Sequence, residues 1–166
     1  MLIKKIFILM TMVYLTACGF HLRGALDMPS GFKNVYLEGG SEKFRDQFKR
    51  VMETSSVQVT NSPANAGLIV HIFTEENKRQ ILSLSSGGAA NEFELDYSVE
   101  YEILDANNKV LLARESFDTK REYFNNQQAV IAKDNEEMTI RDEMYQQAVR
   151  GIVNRTRVAL ASTKTK

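Results

Sequence analysis

Residues 92–103 alternate without a break. Phe93, Leu95, Tyr97, Val99, Tyr101 and Ile103 are apolar, and Glu92, Glu94, Asp96, Ser98, Glu100 and Glu102 stand between them. Successive side chains of a β-strand point to opposite faces. A period of two over twelve residues therefore specifies a strand with one buried face and one wet face. A slip of one residue would turn the whole apolar set to solvent. The rest of the chain must supply a second layer to cover that face.

The flanking sequence supplies it. Asp105-Ala106-Asn107-Asn108 reads as a hairpin turn, with a returning strand from Lys109 to about Tyr123. Pairing Ile103 with Leu111 sets Tyr97 opposite Phe117, Glu100 opposite Arg114 and Glu94 opposite Lys120, all favourable cross-strand pairs. The same register sets Asp96 against Asp118. Upstream, residues 68–73 form an apolar β run that extends toward Leu84, and residues 83–91, small and polar, read as a hairpin tip.

Nearer the start, Phe32, Val35 and Leu37 suggest a first strand stopped by Gly39-Gly40. Ser41 is a helix N-cap, followed by the stripe Phe44, Phe48, Val51 and Met52. Val57 and Val59 are a short strand candidate, and residues 61–67 a loop. At the far end Met144, Ala148, Ile152, Arg155 and Ala159 share one helical side, flanked by Tyr145 and Val149. Asp134 with Glu137 three residues on reads as a capping box; Asn125, through Gln127 to Ala132, offers an earlier start. The expected fold is α+β, an α/β sandwich. One mixed, mainly antiparallel sheet of about four strands carries two helices on one face.

Residues 1–17 stand apart. Lys4 and Lys5 precede a ten-residue apolar run, Ile6 to Leu15, shorter than the about 20 residues a membrane span needs. It ends in Leu15-Thr16-Ala17-Cys18, which resembles the lipobox of bacterial lipoproteins: small residues beside the cut, then the thiol that takes the lipid. Cleavage before Cys18 leaves 149 residues at net charge −2, since residues 1–17 carry two of the 21 basic residues and none of the 21 acidic ones. Acyl chains on Cys18 would anchor the chain to a membrane without crossing it. In bacterial lipoproteins an Asp after the Cys goes with retention at the inner membrane; Gly19 stands there and points to the outer membrane, periplasmic side. The expected organisation is a signal peptide at 1–17, a lipidated tether at 18–30, one domain at 31–161 and a frayed end at 162–166.

Composition closes several routes. Equal numbers of acids and bases, 21 each, argue against a nucleic-acid binder. One Cys permits no internal disulfide and no Cys-cluster metal site, and two His leave little for a zinc site or a relay. There is no G-x-S-x-G, H-E-x-x-H, Walker or G-x-G-x-x-G motif. His71 reads as a structural strand residue, and the acidic row of residues 92–102 as a solvated sheet face. No enzyme, cofactor or metal is expected.

The mature start Cys18-Gly19-Phe20-His21-Leu22-Arg23-Gly24, the segment Ala132-Lys133-Asp134-Asn135-Glu136 and Glu143-Met144-Tyr145 together resemble the LPS-assembly lipoprotein family LptE, also called RlpB, from about Cys18 to Leu160. The chain departs from the family in its short tail and in having Ser85, Ser86, Gly87 and Gly88 where the hairpin loop carries a basic residue. The resemblance implies an α/β sandwich that sits largely inside the LptD β-barrel as a plug, supports barrel assembly and helps deliver LPS to the outer leaflet. It implies Lys133 as an LPS contact. Holding LPS needs Lys or Arg for phosphates beside apolar surface for acyl chains, which adds Lys78-Arg79 and Lys120-Arg121 as candidates. Ser85, Ser86, Gly87 and Gly88 are candidate barrel contacts. Two other readings stay open: a free-standing periplasm-facing lipoprotein that binds lipid or glycan, and a lipid-anchored hydrolase that would use His71 with a Ser or Asp.

Overall fold

The computed structural model describes residues 33–55, 57–125 and 130–163; the side chains of residues 130–134 and 162–163 fall outside that description, as does all of residues 1–32. Five strands form one sheet in the order β2-β1-β3-β4-β5. They are β1 (Asn34–Glu38), β2 (Gln58–Thr60), β3 (Leu68–Leu84), β4 (Ala90–Asp105) and β5 (Val110–Phe124), with helices α1 (Glu42–Glu53) and α2 (Val130–Thr163). β1 pairs parallel to β2 and β3; the β3–β4 and β4–β5 pairs are antiparallel.

The alternation in β4 is realised as expected. Leu95, Tyr97, Val99, Tyr101 and Ile103 are at most 1% exposed, and Phe93 only 5%. The cover over them is the two helices. Phe44 and Phe48 of α1 and Met144, Ala148 and Ile152 of α2 are buried in the same core. The Ser41 side chain caps α1 by accepting from the Phe44 amide at 3.2 Å. Ser41 is itself held across the fold: its amide and hydroxyl donate to the two Glu75 carboxylate oxygens of β3 at 2.6 and 2.8 Å.

Three expectations change. The β4–β5 register starts where predicted, with Leu104 opposite Val110, but two irregularities around Ile103 advance it by two residues. Tyr97 then faces Thr119 rather than Phe117, and Val99 takes Phe117. The even shift keeps every side chain on its face, and it removes the acid–acid pair: Asp96 meets Lys120, and Asp118 accepts from the Ser98 hydroxyl at 2.6 Å. Glu94–Lys120 (3.0 Å) and Glu100–Arg114 persist as diagonal ion pairs. Second, of the two starts offered for α2 the one at Asp134 is too late, since residues 130–133 are already helical, in keeping with the earlier alternative. Third, the hairpin tip is shorter than expected. The strands run to Leu84 and from Ala90, leaving a closed turn in which Ser85 donates to the Ala89 carbonyl at 2.7 Å.

α2 packs tightly on β5 at Gly151. A Cβ there would lie 2.5 Å from Cε2 and 2.7 Å from Cδ2 of Phe117. Gly151→Ala is expected to cost about 1–3 kcal/mol by overpacking. Adding Phe117→Leu should recover part of the loss in a urea melt. Equal losses with and without the second change would place the cost elsewhere.

Candidate functional site

The two basic pairs lie in one band across the sheet. Lys78 and Lys120 both pair with Asp96, from β3 and β5; Arg79 and Arg121 both pair with Leu95. Because neighbouring strand residues point to opposite faces, each pair is split. The lysines stand on the outer face and the arginines on the face under α2.

The outer lysines are neutralised. Lys120 Nζ lies 3.0 Å from Glu94 and 2.8 Å from Asp96, and Lys78 Nζ 2.6 Å from Glu76. Hydrogen bonds to Asp96 and then Glu94 push the Lys120 ammonium above its usual value, and Glu76 does the same for Lys78. The Lys120 ammonium also holds the Asp96 carboxyl below its usual value. With two lysines against three carboxylates, the shallow pocket of about 330 Å³ they line has no surplus of positive charge.

The helix face differs. Arg79 Nη1 donates to Glu137 Oε2 at 3.1 Å, and its guanidinium lies 4.1 Å over the Phe93 ring. Arg141, one turn on, donates to Glu137 Oε1 through Nε (2.9 Å) and Nη2 (2.8 Å). The Tyr123 hydroxyl donates to the same carboxylate at 2.5 Å. Burial opposes the Glu137 charge, but the bonds from Tyr123 and Arg141 and the charge of Arg79 hold its carboxyl below the usual range. Burial and the adjacent Glu137 push the Tyr123 phenol up to about 12, so it stays a donor. Arg121 reaches the neutral Gln147 at 2.7 Å. Two guanidiniums thus share one carboxylate and a third meets a neutral amide, so this cluster carries more positive than negative charge.

Beyond the arginines, the described residues of the sheet end include several exposed apolar side chains. Ile81, two residues from Arg79 on the same face, is 58% exposed; Leu82, Leu84 and Met138 are also exposed, and so is Phe124, on the outer face opposite Glu92. Lys133 lies one turn before Glu137 on α2, its side chain outside the described residues. Cys18 lies outside them altogether. Ser85, Ser86, Gly87 and Gly88 form the hairpin turn at this same end. The sequence reading missed Arg141, Glu137 and Tyr123. Spacing of four residues from Lys133 through Glu137 to Arg141 was the available signal.

His71 Nδ1 lies 3.1 Å from Glu102 and its ring packs 4.4 Å from Phe73. That is a cross-strand pair on the outer face, with no hydroxyl nucleophile among its described hydrogen-bond partners. Among the described residues, no helix is long and apolar enough to cross a membrane.

A family model described as LptE, lipopolysaccharide-assembly, matches residues 31–156. The LPS-assembly lipoprotein LptE of Pectobacterium atrosepticum is 25% identical over 148 residues, covering 86% of this chain and 79% of its own length. That of Photorhabdus laumondii is 27% identical over 139 residues, covering 82% and 75%. Among solved structures, lipoprotein B of Nitrosomonas europaea superposes with a TM-score of 0.67 at 28% identity, over 86% of this chain and 93% of that one. The rare lipoprotein B of Shewanella oneidensis gives 0.59 at 20% identity, covering 80% and 96%, a likeness of fold.

Proposed function

The chain belongs to the LptE family of lipopolysaccharide-assembly lipoproteins, and from that premise we propose that it partners the LptD β-barrel, fills part of its lumen and holds LPS during delivery to the outer leaflet. The family is non-enzymatic. One observation carries the LPS reading: Arg79, Arg121 and Arg141 outnumber Glu137 in this cluster on the helix face, beside the exposed Ile81, at a sheet end where Leu82, Leu84 and Phe124 are exposed as well. LPS is a phosphorylated sugar with several acyl chains, and this surface offers both complements. Lys133, one turn from Glu137, would extend the basic side. Lys78 and Lys120, already held by carboxylates, are assigned to the sheet face rather than to lipid.

The outer face, with its paired charges, suits the polar interior of a large barrel. Ser85, Ser86, Gly87 and Gly88, at the tip, are the wall contacts in this reading. Cys18 would carry the lipid that holds the chain to the outer membrane on its periplasmic side. The test is capture of the tagged mature chain from solubilised envelopes. A large β-barrel recovered in fixed ratio is the expected result. A chain that comes out alone and monodisperse would remove the barrel partner and leave a free-standing lipid-binding lipoprotein.

A further inference from the structure

The Glu137 carboxylate takes hydrogen bonds on both of its oxygens. Oε2 accepts from Arg79 Nη1 at 3.1 Å and from the Tyr123 hydroxyl at 2.5 Å. Oε1 accepts from Arg141 Nε at 2.9 Å and Nη2 at 2.8 Å. Guanidiniums and a hydroxyl closing on one oxyanion are also the donors that recognise a phosphate. Here the oxyanion is the protein's own.

The arginines have other holds on their places. The Arg79 guanidinium lies over the Phe93 ring. Arg141 Nη1 donates to Asn77 Oδ1 at 3.4 Å, and the Asn77 amide donates in turn to the Tyr145 hydroxyl at 3.1 Å. The Arg79 side chain is half-exposed, so a ligand can reach it. Arg121 is bound to neutral groups, the Gln147 amide and the Lys120 carbonyl. Two guanidiniums are therefore contested by a carboxylate, and the third binds without that competition. The two anions are unequal rivals. A carboxylate brings a single charge on two oxygens, whereas a phosphate monoester brings about −1.5 to −2 on three. Phosphate can displace the carboxylate, but at a cost in affinity.

We propose that Glu137 is a built-in competitor of the LPS phosphate for Arg79 and Arg141. It limits how tightly the site holds its lipid and takes the arginines back as the lipid leaves. This rests on the lipid reading above and adds a route of release to it. A partly covered guanidinium left without its anion is unfavourable. A carboxylate carried on the adjoining helix fills the place of the departing phosphate without leaving the site.

The test is titration of LPS into the variants at matched ionic strength, with release followed on dilution and folding checked by circular dichroism. Glu137→Gln keeps the shape and removes the charge. It should bind LPS about tenfold tighter and release it more slowly. Tyr123→Phe keeps both ion pairs and takes one hydrogen bond from the carboxylate, so it should give a gain of about two- to threefold. Glu143→Gln, an equal loss of charge at an exposed position of α2, should stay within about twofold. Dephosphorylated LPS should show none of these gains. Unchanged or weaker binding by Glu137→Gln overturns the proposal and leaves Glu137 as a residue that positions the arginines. A gain of the same size from Glu143→Gln, or with dephosphorylated LPS, overturns it as well. Adding Arg79→Gln and Arg141→Gln to Glu137→Gln separates the competitor from the lipid site. Weaker binding there, with no gain from Glu137→Gln alone, keeps the arginine site and removes only the competitor. Binding that the two added changes leave unaltered removes the arginine site itself, and the competitor with it.

Discussion

Replacing Arg79 and Arg121 together by Gln should weaken LPS binding by about 100-fold, while the same change at Lys78 and Lys120 should leave it within about threefold. The four side chains sit in one band and are alike in charge, so only their surroundings separate them. Each lysine already makes its ion pairs: Lys120 with two carboxylates and Lys78 with Glu76. A phosphate arriving there would meet three acids for two bases. On the other face, Arg121 is bound to a neutral amide, and Arg79 shares one carboxylate with Arg141 and Tyr123. A charge-assisted hydrogen bond contributes about 1.5–3 kcal/mol, and about 1.4 kcal/mol is a factor of ten. Two such bonds lost give the expected hundredfold. Gln keeps most of the side-chain stem, so packing over Phe93 changes less than with Ala. Titration of LPS into each variant at matched ionic strength is the measurement, and raising the salt should narrow the gap between wild type and the arginine variant. Equal losses for both pairs would move the lipid site off the helix face.

The split of those pairs between faces was legible in principle. The alternation of residues 92–103 fixes parity for the whole sheet, and two adjacent basic residues on a strand must point opposite ways. What could not be read was the neighbour of each. Glu137 looks like the third residue of a capping box on Asp134, a local role. It is recruited instead by Arg79, 58 positions away, and by Tyr123. Local spacing carries no information about such a contact. The register failed for a related reason. It was counted outward from the turn, and the two irregularities near Ile103 leave no mark in the pattern because together they preserve parity. The burial of β4, the Phe44–Phe48 stripe and the Ser41 cap were legible because each depends only on periodicity or on a neighbour three residues on.

The largest loss of stability from a single methyl group is expected at Gly39. Gly39→Ala should cost about 3–5 kcal/mol, and Gly88→Ala only about 1–2 kcal/mol. Both glycines have positive φ, +82° and +78°, so both substitutions impose the left-handed strain that a Cβ brings. They differ in space. At Gly88, in the exposed hairpin turn, the new Cβ would meet nothing within 4 Å. At Gly39 it would lie 2.7 Å from the Ile72 carbonyl oxygen, a backbone atom of β3 that no rotamer change can move. Gly39 and Gly40 together turn the chain from β1 into α1, and Ser41 immediately beyond caps that helix while bonded to Glu75. Relief of the clash therefore displaces either the β1–β3 pairing or the cap. Against a typical total of about 5–15 kcal/mol for a domain, the Gly39 loss is a large fraction. It should lower the melting temperature by about 10 °C or more, measured by circular dichroism on the two variants side by side. Matching losses would mean that the Ile72 carbonyl yields and that conformational strain alone sets the cost.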